Sequence, residues 1–159
     1  MPRGKLKVMA APQRMAAHRS AELGSYVLDD QVGFLMRVAM QRHTSIFAGR
    51  MIEGLTQTQF AALAKLHEVG ACSQNHLGRL IYLDAATIKG VVDRLGARGF
   101  VTATADAHDR RRRAVQLTER GRAVTERAMD IATGISTATL TPLTGEEQRA
   151  VVSLLKKLS

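Results

Sequence analysis

The stretch from Asp84 to Leu117 restricts the fold more than any other part of the chain. Asp84 can cap a helix running from Ala85 to Arg98, and Gly99 can end it. The hydrophobic period then changes. Phe100–Thr104 and Ala114–Leu117 are short β-rich runs, and the residues between them end in four consecutive arginines, Arg110–Arg113. Two short strands around a polar loop predict a hairpin with a long basic tip. Just upstream, Ser73 can cap a short helix from Gln74 to Tyr82. A short helix, a second helix and a basic hairpin, in that order, make a winged helix-turn-helix.

The flanks are helical. From Tyr26 to Met51, Leu28, Val32, Leu35, Met36, Ala39, His43, Ile46 and Phe47 recur at helical spacing and predict one long amphipathic helix. Thr56 and Gln59 form a capping-box pair that starts a helix to about Val69, with Gly70 beyond it. Thr118 can cap a helix to about Leu140, stopped by Pro142. Thr144 and Glu147 offer a second capping box for a last helix with a stripe of Val151, Leu154, Leu155 and Leu158. The expected fold is therefore mostly α with a small β-hairpin wing. A basic tail covers residues 1–22 and a single domain covers residues 23–159, with the winged helix-turn-helix at residues 55–118.

Charge supports a polyanionic partner. The formal charge is +9, but its distribution matters more. Residues 1–19 hold Arg3, Lys5, Lys7, Arg14 and Arg19 and no acid, and residues 73–113 carry a further basic excess, while the remainder is close to neutral. A localised basic segment of this kind suits nucleic acid. The candidate DNA contacts follow from the motif. Ser73, Gln74 and Asn75 at a helix start suit phosphate oxygens. Ala85, Ala86, Thr87, Lys89 and Gly90 occupy the first turns of the helix expected in the major groove, with Arg94 further along it. The small residues permit close approach, and Thr87 can meet base edges. At the hairpin tip, Arg110, Arg111, Arg112 and Arg113 would reach phosphates and the adjacent minor groove.

Three runs carry a family resemblance. DAATIKGVVDRLGARGFV over residues 84–101, the spaced Asp106, Asp109 and Arg111, and Leu117-Thr-Glu-Arg-Gly121 resemble the MarR family of bacterial transcriptional regulators. The resemblance spans about residues 26–158. It implies that Asp109 braces the wing and that Arg111 enters the minor groove. Ala107 stands where a wing proline is common, and the extra arginines leave open which one sits deepest. It further implies an obligate homodimer built from helices at residues 26–51 and 119–158, binding a palindromic operator, in most members as a repressor in the cytoplasm. The runs DQVGFLMR (residues 30–37), LTQTQFAAL (55–63) and SQNHLG (73–78) resemble a branch that controls aromatic-acid breakdown and responds to free aromatic acids or to hydroxycinnamoyl-CoA thioesters. In this family a small effector binds between the dimerisation helices and the DNA-binding lobe. Arg37, Met40, His43, Phe47 and His67 are the candidate contacts, each with an alternative role in the core or in a surface ion pair.

Other functions find little support. His67-Glu68 begins a zinc-protease motif, but residue 71 is alanine; Gly4-Lys5 has no P-loop around it; and the five histidines lack metal-ligand spacing. No cofactor and no enzymatic activity are expected. Cys72 is alone and precedes a helix start, which would favour its thiolate slightly; redox sensing is a minor alternative. No apolar stretch approaches a membrane span. The rival reading is a basic architectural protein that binds DNA without sequence preference and without a ligand.

Overall fold

The structure, a computed structural model, describes residues 26–105 and 113–158. Its elements are α1 (Val32–Arg50), α2 (Gln57–Val69), β1 (Cys72–Ser73), α3 (Gln74–Leu80), α4 (Ala85–Ala97), β2 (Val101–Ala105), β3 (Arg113–Leu117), α5 (Glu119–Leu140) and α6 (Gly145–Leu158). Short 3₁₀ turns at Leu28–Asp30 and Ile52–Gly54 precede α1 and α2. The chain divides into two compact units, Met1–Ala39 and Met40–Ser159.

In the first unit, the helix expected from Tyr26 begins only at Val32. Gln31 is extended, and its side-chain amide donates to the Val27 carbonyl at 3.0 Å, closing the 3₁₀ turn instead of continuing it. Asp29 and Asp30 then sit just before the N-terminus of α1, where negative charge is favoured. The guanidinium of Arg37 lies 5.0 Å from the Phe34 ring centroid.

The second unit holds the core. Leu63 and Leu66 of α2, Leu77 of α3, Ile88, Val91 and Leu95 of α4, Phe100, Val115 of β3, and Val124, Ala128 and Ile135 of α5 are buried in one cluster. Every helix start in this unit is capped as its sequence predicts. Thr56 and Gln59 complete a reciprocal capping box, and Ser73, Asp84 and Thr118 each accept from a backbone N–H three residues on. Thr144 and Glu147 bond each other reciprocally at the head of α6.

Two expectations are corrected. Helix α3 stops at Leu80 rather than Tyr82, because Tyr82 takes a left-handed φ of 57° and Leu83 N–H turns back to the Gly78 carbonyl at 2.9 Å. The sheet has three strands, not two, in the order β1-β3-β2, all antiparallel. Cys72 pairs with Val115 and Ser73 with Ala114, which ties the head of α3 to the base of the hairpin.

Candidate nucleic-acid interface and effector crevice

Helices α3 and α4 meet at Gly78. A Cβ there would lie 3.1 Å from both Ile88 Cγ2 and the Leu83 carbonyl oxygen, so the close crossing depends on glycine. Helix α4 buries Ile88, Val91 and Leu95. Its opposite side, with Ala85, Ala86, Thr87, Lys89 and Arg94, is exposed. Asn75 at the head of α3 is exposed, and Ser73 and Gln74 are half-buried. Ser73 Oγ accepts from the His76 N–H at 3.3 Å.

Asp84 fixes the start of α4. Its Oδ1 accepts the Thr87 N–H at 2.8 Å and its Oδ2 accepts the Thr87 hydroxyl at 2.7 Å. These bonds, the backbone one foremost, hold its carboxyl below the ordinary carboxylate range. Lys89 pairs with Asp93 one turn on, at the surface. Gly90 has no side chain to displace the Arg94 guanidinium, which lies back along this face.

The wing rests on a second close contact. Thr118 N–H donates to the Phe100 carbonyl at 3.0 Å, its hydroxyl donates to the Gly99 carbonyl at 2.7 Å, and Gly121 N–H donates to that hydroxyl at 2.9 Å. The buried Phe100 ring also carries the guanidinium groups of Arg98 and Arg120 at 4.6 and 5.1 Å from its centroid. Arg98 reaches back to the Glu53 carbonyl at 2.6 Å. Asp109, Arg110, Arg111 and Arg112, assigned to the wing tip from sequence, lie outside the described residues.

A crevice of 280 Å³ opens in the second unit. Its walls are Met40, His43 and Phe47 of α1, Gln57 and Phe60 of α2, and Ala132, Ile135 and Ser136 of α5. The Phe47 and Phe60 rings are 6.1 Å apart and tilted, and His43 is 6.3 Å from Phe47. His43 Nδ1 is 2.9 Å from Thr139 Oγ1, and the Thr139 hydroxyl donates to the Ile135 carbonyl at 2.9 Å. Three of the sequence candidates, Met40, His43 and Phe47, therefore come together. His67 does not join them. It faces Glu126 at 3.4 Å, an ion pair when its ring is charged. Arg37 belongs to the first unit. Gln57, Phe60, Ser136 and Thr139 were not among the candidates, because no local pattern joins residues of α2 and α5 to the face of α1.

Cys72 is half-buried in β1. Burial pushes its thiol up, and a backbone hydrogen bond involving Leu77 only partly offsets this. The expected lowering by a helix start is therefore reversed. No group of histidine, cysteine, aspartate and glutamate among the described residues could hold a metal ion. Among the same residues, no helix is long and apolar enough to cross a membrane.

A three-stranded sheet behind two crossed helices, with an exposed helix face leading into a hairpin, defines a winged helix-turn-helix regulator of transcription. Residues 55–112 match the model of the MarR family. The chain is 40% identical over 134 residues to the HTH-type transcriptional repressor NicR of Pseudomonas putida, covering 84% of this chain and 85% of that protein. A probable transcriptional regulator from Pseudomonas aeruginosa superposes with a TM-score of 0.80 at 48% identity, over 84% of this chain and all of that one. BpsR of Bordetella bronchiseptica, whose DNA binding is regulated by 6-hydroxynicotinic acid, superposes with a TM-score of 0.80 at 39% identity, over 85% and 97% of the two chains. The chain belongs to the MarR family and is a DNA-binding transcriptional regulator.

Proposed function

We propose that this regulator represses transcription from the cytoplasm as a homodimer on a palindromic operator, and that a small aromatic acid in the α1–α2–α5 crevice releases it. The chain acts by binding and turns over no substrate. Helix α4 reads the major groove through Ala86, Thr87, Lys89 and Arg94. Ser73, Gln74 and Asn75 hold phosphates, Asp109 braces the wing, and Arg110, Arg111 and Arg112 form its contact with phosphates and the minor groove. Residues 55–118 are the DNA-binding part, with dimerisation in the helices at 26–51 and 119–158.

The observation that carries the effector reading is the crevice itself. Two aromatic rings, a methionine and a few neutral polar groups suit a flat ring with one or two polar substituents. A cavity of about 150 Å³ can hold benzene, so 280 Å³ accommodates a substituted single ring. It does not enclose coenzyme A, so the free acid is the better fit than a thioester. The response of BpsR to 6-hydroxynicotinic acid points the same way.

The test is fluorescence anisotropy on an operator obtained by selection from random DNA. We expect at least about 10³-fold preference over random sequence and release on adding 6-hydroxynicotinate. Salt-dependent binding with no sequence preference would instead identify an architectural DNA-binding protein. Arg111→Ala is expected to weaken operator binding and to lower the slope of log affinity against log salt by about one. An unchanged slope would remove Arg111 from the interface.

A further inference from the structure

Resting on the effector reading above, we infer that His43 is the anion receptor of the crevice and takes up a proton from solvent when an aromatic carboxylate binds. The argument starts from Thr139. A hydroxyl has one hydrogen, and that of Thr139 is donated to the Ile135 carbonyl at 2.9 Å. With the hydrogen used there, we assign Thr139 Oγ1 as the acceptor from His43 Nδ1, 2.9 Å away, a contact whose direction follows the ring tautomer. This assignment puts the ring proton on Nδ1, and in the neutral ring Nε2 then carries a lone pair. Among the described residues no other hydrogen bond reaches this ring.

The remaining walls offer an anion no charge. Helix α1 contributes Met40 and Phe47 beside His43, α2 contributes Gln57 and Phe60, and α5 contributes Ala132, Ile135 and Ser136. His43 is the one titratable group among these lining residues. Of the cations of α1, Arg42 and Arg50 donate to the Ala138 and Gly134 carbonyls at 3.3 and 3.5 Å, Arg37 belongs to the first unit, and none of the three is part of the lining. An unpaired carboxylate in a largely apolar crevice is strongly disfavoured. Against a neutral His43 it would also meet the Nε2 lone pair, acceptor against acceptor. Protonation at Nε2 solves both problems. It supplies the positive charge and an N–H donor, and the Nδ1–H bond to Thr139 is kept, so the ring does not have to turn. The proton comes from the buffer, and no covalent bond other than N–H forms. An uncharged ligand that donates a hydroxyl to Nε2 gains nothing from this proton, so the site selects carboxylates over their amides as pH falls.

The experiment is calorimetric titration of the full-length protein with 6-hydroxynicotinate and with its carboxamide, between pH 6 and 8.5, in buffers of different ionisation enthalpy. The acid should bind with uptake approaching one proton, and its affinity should weaken about tenfold per pH unit where the ring is otherwise neutral. The amide should show neither effect. His43→Gln, checked for folding by circular dichroism, should bind the acid at least about tenfold more weakly and without proton uptake. Nitrogen NMR of the ligand-free protein should place the neutral-ring proton of His43 on Nδ1. Acid binding without proton uptake in the unaltered protein overturns the role of His43 and leaves the effector reading standing. Absence of binding heat at every pH overturns both.

Discussion

At the residue scale, Thr87 shows how a cap constrains recognition. Its hydroxyl proton is held on Asp84 Oδ2, so outward it can only accept a hydrogen bond or offer its methyl. In the major groove the matching donors are the amino groups of adenine and cytosine, and the matching apolar group is the thymine methyl. Thr87→Ser should keep the preference for an amino group at the contacted base. Thr87→Val should lower affinity for the selected operator about tenfold, within the range of a lost base contact, and leave binding to random DNA nearly unchanged. Repeating the site selection with both variants checks this, and an unchanged preference with valine would displace Thr87 from the groove. Cys72 makes the opposite case. With its thiol pushed up by burial, the reactive thiolate is scarce at neutral pH and grows only as pH rises into the alkaline range. Millimolar peroxide at pH 7 should leave operator affinity unaltered, and labelling by iodoacetamide should accelerate only at alkaline pH. Caps such as Ser73, Asp84 and Thr118 are legible in sequence because donor and acceptor are three residues apart. The bond between His43 and Thr139 spans 96 positions, and no local pattern encodes it.

At the scale of elements, helices were legible because their starts and stops are chemically marked. The failures occur where an element is too short to have a period. Strand β1 is two residues, Cys72 and Ser73, and exists only because Val115 and Ala114 of β3 lie opposite. The break at Gln31 rests on a side-chain bond to Val27 inside an otherwise continuous apolar repeat. The run Leu117-Thr-Glu-Arg-Gly121, by contrast, can now be given a physical cause. Thr118 caps α5 while tying it to the Gly99 and Phe100 carbonyls, and this draws Gly121 onto the Phe100 backbone. A Cβ at Gly121 would be driven into that carbonyl, 2.8 Å from its carbon. The carbonyl cannot retreat without losing the Thr118 N–H. Gly121→Ala should therefore destabilise the fold by about 1–3 kcal/mol or more, the range for overpacking a well-filled site. Urea denaturation measures it, and a midpoint equal to that of the unaltered protein would mean that the hairpin base is far more pliant than its hydrogen bonds suggest.

At the scale of the whole molecule, the apolar surface left uncovered by one chain is the main structural argument for the dimer. On α6, Leu154, Leu155 and Leu158 are 57%, 49% and 72% exposed, and no residue of that helix is buried. Val32, Leu35 and Met36 at the start of α1 are exposed as well. The helix periodicity of both stretches was plain in the sequence, but periodicity shows that a face is apolar and not what covers it. Burying a leucine side chain contributes about 1.5–3 kcal/mol, so a helix with this stripe is stabilised far more by a second copy than by water. Replacing Leu154 and Leu155 together by glutamate should leave the buried cluster around Leu63, Ile88 and Phe100 intact, since neither residue belongs to it. The variant should run as a monomer in light scattering and keep its helical circular dichroism. It should lose most operator affinity, because one protomer engages one half-site and forfeits the linkage to the second. A variant that stays dimeric with full affinity would show that α6 does not seal the assembly, and would shift the search for the interface to α1.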